Sequence, residues 1–312
     1  MKTKDLLSLN NLDRSGIESI LELAGKIKKE PKQYLQVLSG KTIGLVFQKP
    51  STRTRLSFEV GMFQLGGNAV YLGAEDIRLG IREDLRDLAR TLSRYLDGIV
   101  ARTYAHEDVE NLAKHSSIPV INGLSNSYHP CQALSDLFTI KERFSSLDSL
   151  VVSYVGDGNN VLHSLIQICA LMGVSLKIAT PKGYEADQEV LRWAMSRSSK
   201  INAGHDPRKA VEGADVVYTD VWTSMGQEKE AKKRRKIFRE FQVNPQLTAL
   251  AKPKHVVMHC LPAHRGEEIA DEVLDGGHSV VFDQTENKLH LHKAILSLWL
   301  ENSVQRSAVS VR

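Results

Sequence analysis

The sequence predicts an α/β protein of two domains, each with a mainly parallel sheet flanked by helices. Three observations predict it. The chain has 312 residues, above the roughly 250–300 at which a single hydrophobic core stops growing. Short apolar runs alternate with segments of helical period along most of its length, as in domains that wind helices around parallel strands. Near the middle, the polar stretch Ser145–Ser149 interrupts the alternation. It marks a boundary between a first domain over 1–145, joined by the C-terminal segment of about 288–312, and a second over 146–287.

In order, the first series of strands is Thr42–Phe47, Ala69–Leu72, Gly98–Ala101 and Ile118–Ile121. Between them, Glu83–Asp97 places Leu85, Leu88, Leu92 and Leu96 at helical spacing, and His106–Ser116 repeats the pattern with Val109, Leu112 and Ala113. A helix over Pro130–Phe144 opens with proline, whose missing N–H costs little in a first turn. The second series is Leu150–Val155, Ser175–Ala179, Asp215–Thr219, His255–His259 and Ser279–Phe282. A last helical pattern, Lys288–Ser303, carries Leu289, Ala294, Ile295, Leu298 and Trp299.

Composition excludes several other classes. Apolar residues make up 42% and charged residues 25%, near a soluble globular average. No stretch approaches the roughly 18 apolar residues of a membrane helix, so no membrane association is expected. The net charge of +4 suits anionic metabolites without requiring nucleic acid. The basic run Lys232-Lys-Arg-Arg-Lys236 reads as a solvated helix face, with no aromatic interleaving to suggest a nucleic-acid surface. Three widely spaced cysteines, Cys131, Cys169 and Cys260, argue against a disulfide framework. The amino-terminal stretch meets Asp5, Asn10, Asn11 and Asp13 before any signal-peptide apolar region develops, so a reducing, cytoplasmic setting is expected.

The densest polar cluster, Lys49-Pro-Ser-Thr-Arg-Thr-Arg55, stands where the first strand turns into a helix carrying Leu56, Val60 and Phe63. Ser51 and Thr52 can cap that helix, whose free N–H groups and dipole favour an anion. Arg53 and Arg55 add forked, permanently charged donors. Arg102 follows the strand Gly98–Ala101, and His129-Pro-Cys-Gln132 opens the helix after Ile118–Ile121. All these groups fall at carboxyl ends of strands, the edge where ligands gather in open α/β sheets. Taken singly, His129 is better read as a helix cap and Arg102 as a surface ion pair. Together they describe an anion site able to polarise a carbonyl.

The second domain opens with Val155-Gly-Asp-Gly-Asn-Asn160 between a strand and a helix. A dinucleotide site is disfavoured, because Val161 replaces the third glycine and the next strand ends at Thr180 without the acid that would hold a ribose. Two further strand ends carry Asp220-Val-Trp-Thr-Ser-Met-Gly226 and His259-Cys-Leu-Pro262. Asp220 offers a carboxylate to an ammonium group. His259, Cys260 and His264 raise the question of zinc, but adjacent strand residues point to opposite faces, so no metal is expected. Cys260 reads either as a nucleophile or as a thiol that positions substrate.

These six motifs, Ser51-Thr-Arg-Thr-Arg55, Arg102, His129-Pro-Cys-Gln132, Asp157-Gly-Asn-Asn160, Asp220-x-x-x-Ser-Met-Gly226 and His259-Cys-Leu-Pro262, resemble those of the carbamoyltransferase family in order and spacing. Ser224-Met225-Gly226 and Cys260-Leu261-Pro262 resemble its ornithine branch. The resemblance covers nearly the whole chain. It implies a carbamoyl-phosphate domain, an L-ornithine domain, a final helix returning to the first domain, and a homotrimer or higher assembly of trimers with sites near subunit interfaces. Carried over, Ser51, Thr52, Arg53, Thr54, Arg102, His129 and Gln132 would hold carbamoyl phosphate. Asn160, Asp220, Ser224 and Met225 would hold ornithine, with Cys260 and Leu261 between the ligands.

The implied reaction gives citrulline and phosphate, and requires neither metal nor organic cofactor. Carbamoylation of putrescine or an acylated ornithine is the nearest alternative. Arg53, Arg102 and His129 would stabilise the tetrahedral oxyanion and the leaving phosphate while Asp220 holds the ammonium, in a cleft between the domains. Two positions depart from the family pattern. Lys288, in Glu286-Asn287-Lys288, stands where relatives usually have an arginine that contacts carbamoyl phosphate, and keeps the charge but not the fork. Arg78 stands where relatives often have glutamine or histidine, and is expected to compensate in part for Lys288 at the phosphate.

Overall fold

The structure is a computed structural model that describes residues 3–77, 83–144 and 146–309, with side chains described to 301. The chain divides into two compact units, residues 1–135 with 286–312 and residues 136–285. Each contains its own parallel sheet.

Unit 1 begins with α1 (Arg14–Lys29), an amphipathic helix capped by Asp13, whose carboxylate accepts from Gly16 N at 2.7 Å. The sequence reading missed it. Four strands follow with their helices: β1 (Thr42–Phe47), α2 (Thr52–Gln64), β2 (Asn68–Leu72), the short α3 (Ala74–Ile77), α4 (Leu85–Tyr95), β3 (Gly98–Arg102), α5 (His106–His115) and β4 (Val120–Leu124). All pair in parallel in the order β2-β1-β3-β4. β1 and β3 are buried along nearly their whole length, as central parallel strands covered on both faces should be. β4 runs through Asn122 and Gly123, where the sequence reading stopped it. The polar side chain is satisfied there, with Asn122 Nδ2 donating to Leu7 O at 2.8 Å.

α6 (Pro130–Arg143) leads into unit 2. Its elements are β5 (Val151–Val155), α7 (Asn160–Met172), β6 (Ser175–Ala179), α8 (Gln188–Met195), β7 (Ile201–Gly204), α9 (Pro207–Val211), β8 (Val216–Thr219), α10 (Ala231–Phe238), α11 (Pro245–Thr248), β9 (Val256–His259) and α12 (Asp271–Leu274). The parallel order is β7-β6-β5-β8-β9. α7 is buried almost all round and ends at Gly173, whose φ of 69° suits a residue without Cβ.

α13 (Val281–Val309) closes the chain. It packs on unit 1, as expected: Asn287 Oδ1 accepts from Lys28 Nζ at 2.8 Å, His292 Nδ1 lies 2.8 Å from Ser57 Oγ, and the His292 ring stacks on Phe58 at 3.8 Å. Two expectations are corrected. Ser279–Phe282 makes only a single bridge, Ser279 to Val257, before the helix starts. A short apolar run has no period of its own, and here Val281 is buried while Phe282 faces out at 71% exposure. Conversely, β7 was missed because three of its four residues are exposed at the sheet edge, which removes the apolar signal.

Candidate active site

In unit 1 the strand order reverses between β1 and β3, the switch point at which open α/β sheets bind ligands. Ser51 follows β1 and caps α2, its Oγ accepting from Thr54 N at 3.3 Å. The amides of Thr52 and Arg53 fall in the first turn, where no intrahelical acceptor exists. Thr54 is buried, and Arg53 is half-buried with no hydrogen-bond or ion-pair partner among the described residues. Arg102 ends β3 and is buried at 5% exposure.

His129 and Gln132 sit at the start of α6, both buried. Burial, reinforced by Lys288, Arg102 and His292, holds the His129 imidazole well below its usual pKa, so it is neutral at pH 7. A neutral ring can donate a hydrogen bond without adding another full cation. Lys288 reaches this group from α13, its Nζ donating to Gln132 Oε1 at 2.9 Å. Ser51, Thr52, Arg53, Thr54, Arg102, His129, Gln132 and Lys288 thus all belong to unit 1. Arg78 lies outside the described residues.

In unit 2 the reversal falls between β5 and β8. The loop after β5 is shaped by Gly158, where a Cβ would lie 2.2 Å from the Glu185 carbonyl carbon. Asn159 caps α7 through Oδ1, accepting from Val161 N at 3.0 Å and Leu162 N at 3.2 Å. Its Nδ2 donates to Asp220 Oδ2 at 2.7 Å. Asp220, buried just after β8, also accepts from Cys260 Sγ at 3.1 Å through Oδ1. Asn160 opens α7, and Ser224 and Met225 lie on the loop after Asp220, with Met225 exposed. Asn159 and Cys260 therefore hold Asp220 from its two oxygens, and nothing in the sequence alone points to Asn159 for that role.

Strand alternation does not keep the candidate zinc ligands apart. β9 ends at His259, so Cys260 no longer follows strand alternation, and the ligand atoms of Asp220, His259 and Cys260 lie within 4.8 Å of one another. Both His259 ring nitrogens are nevertheless engaged, Nδ1 accepting from Leu261 N at 2.9 Å and Nε2 lying 3.1 Å from Glu268 Oε1. These bonds assign the ring proton to Nε2. Leu261, at φ 54°, is held by that bond in a region costly for a residue with a Cβ, and it precedes a cis bond to Pro262. Gln284 supports the same end, accepting from His259 N at 3.0 Å and donating to Asp136 Oδ1 at 2.7 Å.

The basic run on α10 also departs from expectation. Lys232, Lys233, Arg235 and Lys236 are exposed, but Arg234 is buried. Its Nη1 donates to Asp157 Oδ1 at 2.9 Å and to Trp222 O at 2.8 Å, and its guanidinium lies over the Tyr184 and Phe238 rings at 4.8 and 5.5 Å. One arginine thereby ties the loop after β5 to the loop after β8. A four-residue displacement to Phe238, buried on the same helix face, was the available signal.

Two parallel α/β sheets, one with arginines beside a capped helix N-terminus and the other with a buried carboxylate next to its switch point, are the architecture of the carbamoyltransferase class. The chain belongs to the aspartate/ornithine carbamoyltransferase family: residues 4–142 match its carbamoyl-P binding domain and residues 148–299 its Asp/Orn binding domain. Among its relatives, an ornithine carbamoyltransferase of Thermococcus kodakarensis is 53% identical over 95% of this chain and 96% of that protein. An anabolic ornithine carbamoyltransferase of Pyrococcus furiosus is likewise 53% identical, over 95% and 96%. The solved ornithine carbamoyltransferase structure from Pyrococcus furiosus superposes with a TM-score of 0.92 over 95% of this chain and 97% of that one.

Proposed function

We propose that this protein transfers the carbamoyl group of carbamoyl phosphate to the side-chain amine of L-ornithine, giving L-citrulline and phosphate. The observation that carries the reading is Asp220, a buried carboxylate held by Asn159 and Cys260 and followed by Ser224 and Met225 on its own loop. It is an acceptor suited to the α-ammonium of an amino acid. The 53% identity to proteins named ornithine carbamoyltransferase supports the same substrate.

In the proposed reaction the δ-amine, whose free pKa is about 10.4 by analogy with lysine, attacks as the neutral amine. The new C–N bond forms at the carbamoyl carbon, the bond from that carbon to the bridging oxygen breaks so that phosphate leaves with the oxygen, and the proton lost by the nitrogen passes to the leaving phosphate. Ser51, Thr52, Arg53 and Thr54 bind the phosphate at the α2 amides, while Arg53, Arg102 and the neutral His129 stabilise the oxyanion. Gln132, held by Lys288, orients the carbamoyl group. Asn160, Asp220, Ser224 and Met225 take the amino acid, and Cys260 and Leu261 line the reacting centre. No step calls on a metal or organic cofactor.

The assembly we propose is a homotrimer or a higher assembly of trimers. Leu56, Val60 and Phe63 form a stripe on α2 that is open to solvent in the single chain, with Phe63 81% exposed. A cytoplasmic location is proposed on the three free cysteines, two of which have thiols pushed up to about 12 by burial. Among the described residues no helix is long and apolar enough to cross a membrane.

The test is turnover of the purified protein with carbamoyl phosphate and a panel of ornithine, putrescine, acetylornithine and aspartate. Phosphate release and a ureido product with ornithine alone are expected. No turnover with any amine would sink the enzyme reading.

A further inference from the structure

One buried imidazole of unit 1 has no role so far. His292 lies on α13 and is 0% exposed. Two consecutive residues of α2 fix it from different directions. Its Nδ1 lies 2.8 Å from Ser57 Oγ, and its ring stacks on Phe58 with centroids 3.8 Å apart and planes at 14°. A bond at the edge and a stack on the face together leave the ring no freedom to turn. Ser57 Oγ in turn donates to Thr54 O at 3.1 Å, and Thr54 N donates to Ser51 Oγ at 3.3 Å. Since a hydroxyl has one proton to give, these bonds assign the ring proton to Nδ1, which donates to Ser57. The donors therefore run from His292 to Ser57, Thr54 and Ser51, back along the first turn of α2 to its cap.

A second arm leads to α6. Lys288 stands one turn before His292 on the same face of α13, and its Nζ donates to Gln132 Oε1 at 2.9 Å. Burial first, and Lys288 second, hold the His292 imidazole well below its usual pKa, so at pH 7 it stands beside Lys288 without adding a charge. Packing alone does not account for a histidine here. Its Nε2 is buried and has no hydrogen-bond partner among the described residues, a desolvation cost that an apolar side chain of similar volume would avoid. What histidine supplies, and leucine would not, is the bond to Ser57.

We propose that His292 is a positioning residue of the carbamoyl-phosphate half-site, holding Ser57 and through it Thr54 at the start of α2 in register with Lys288 and Gln132. It acts through Ser57, not by touching substrate. The proposal rests on the carbamoyl-transfer reading for the identity of the ligand, and on the bonds from His292 to Ser57 and Thr54 for the existence of the device.

The experiment compares the full-length wild type with His292→Leu, His292→Asn, Ser57→Ala and the double variant of His292→Leu with Ser57→Ala. KM for each substrate is determined, and thermal midpoints are measured with and without inorganic phosphate. A hydrogen bond of ordinary net strength predicts a rise of about fivefold in carbamoyl-phosphate KM for His292→Leu and for Ser57→Ala. Their phosphate-induced rise in midpoint shrinks accordingly. The double variant lies within about twofold of either single one, because both remove the same bond. Ornithine KM stays within about twofold throughout. His292→Asn, whose side-chain amide can take the place of Nδ1, returns carbamoyl-phosphate KM to within about twofold of wild type. Without phosphate, His292→Leu unfolds near the wild-type midpoint, since the lost bond is offset by removal of the unpaired Nε2.

An unchanged carbamoyl-phosphate KM in His292→Leu overturns the proposal. So do equal rises in both KM values, additive effects in the double variant, or a failure of His292→Asn to restore binding, since each makes His292 a packing residue. Should His292→Leu not fold, Ser57→Ala decides, and an unaltered carbamoyl-phosphate KM there overturns the proposal. Wild type that forms no citrulline refutes the reaction, while a phosphate response lost in His292→Leu and kept in His292→Asn leaves the positioning role standing.

Discussion

Arg234 Nη1 lies 2.9 Å from Asp157 Oδ1, and both side chains are buried, at 6% and 7% exposure. Because the same Nη1 also reaches Trp222 O, this pair links the two loops that present Asn159, Asn160, Asp220, Ser224 and Met225. Arg234→Met should raise the KM for ornithine by about tenfold and leave that for carbamoyl phosphate within about twofold. Its effect on stability should fall short of the roughly 3–5 kcal/mol of stranding a buried charge, because Asp157 can take up a proton instead. Equal changes in both KM values would show that Arg234 acts on the fold as a whole.

Asp157 also sets a pH dependence. Burial raises its carboxyl from 3.8 to about 7, with Arg234 pulling the other way. Between those values the folded protein keeps a proton that the unfolded chain has released, so this group's contribution to stability falls as pH rises through that window. Asp157→Asn removes the titration. Whatever its constant offset, its urea midpoint should improve relative to wild type from pH 4 to pH 7, and a flat difference across that range would contradict the assignment.

Arg53→Ala should lower kcat by about 10²–10³-fold, the usual cost of removing one donor to a developing oxyanion. Arg53 has no partner to lose among the described residues, so the thermal midpoint without substrate should hardly move. A large loss of stability alongside the loss of rate would argue for a structural role.

Asp220→Asn keeps the shape of the side chain but removes its charge. Ornithine KM should rise by at least about tenfold, the scale of a charge-assisted bond, with carbamoyl-phosphate binding retained. Calorimetric titration with carbamoyl phosphate checks the second half of that expectation.

Phe63→Glu places a carboxylate in the apolar stripe of α2. Sedimentation equilibrium should show the proposed trimer giving way to single chains, since an unpaired charge buried in the proposed interface costs several kcal/mol. A variant that stays trimeric would move the interface elsewhere.

The placement of much of the candidate site was legible in the sequence because its groups sit at strand ends, which are local features. Ser51 before a helical period reads as a cap, and Arg102 directly after four apolar residues reads as a strand end. The errors lie where burial contradicts local composition. Arg234 stands among four exposed basic residues, and nothing nearby in the chain announces Asp157, seventy-seven positions away. Asn159 and Asn160 are equivalent as text. Only the helix start, which makes Asn159 the cap, directs its amide to Asp220.

The sequence by itself determined the two parallel α/β sheets, the family motifs in order, and which strand ends carry the candidate residues, because period, capping and turn chemistry act over a few residues. The tertiary structure decided which charges are covered. It buried Arg102, brought Lys288 of α13 to Gln132, and turned one arginine of a solvated run into a link between two loops. Those outcomes depend on the low-dielectric surroundings that distant segments create when they pack, and no short window of sequence contains them.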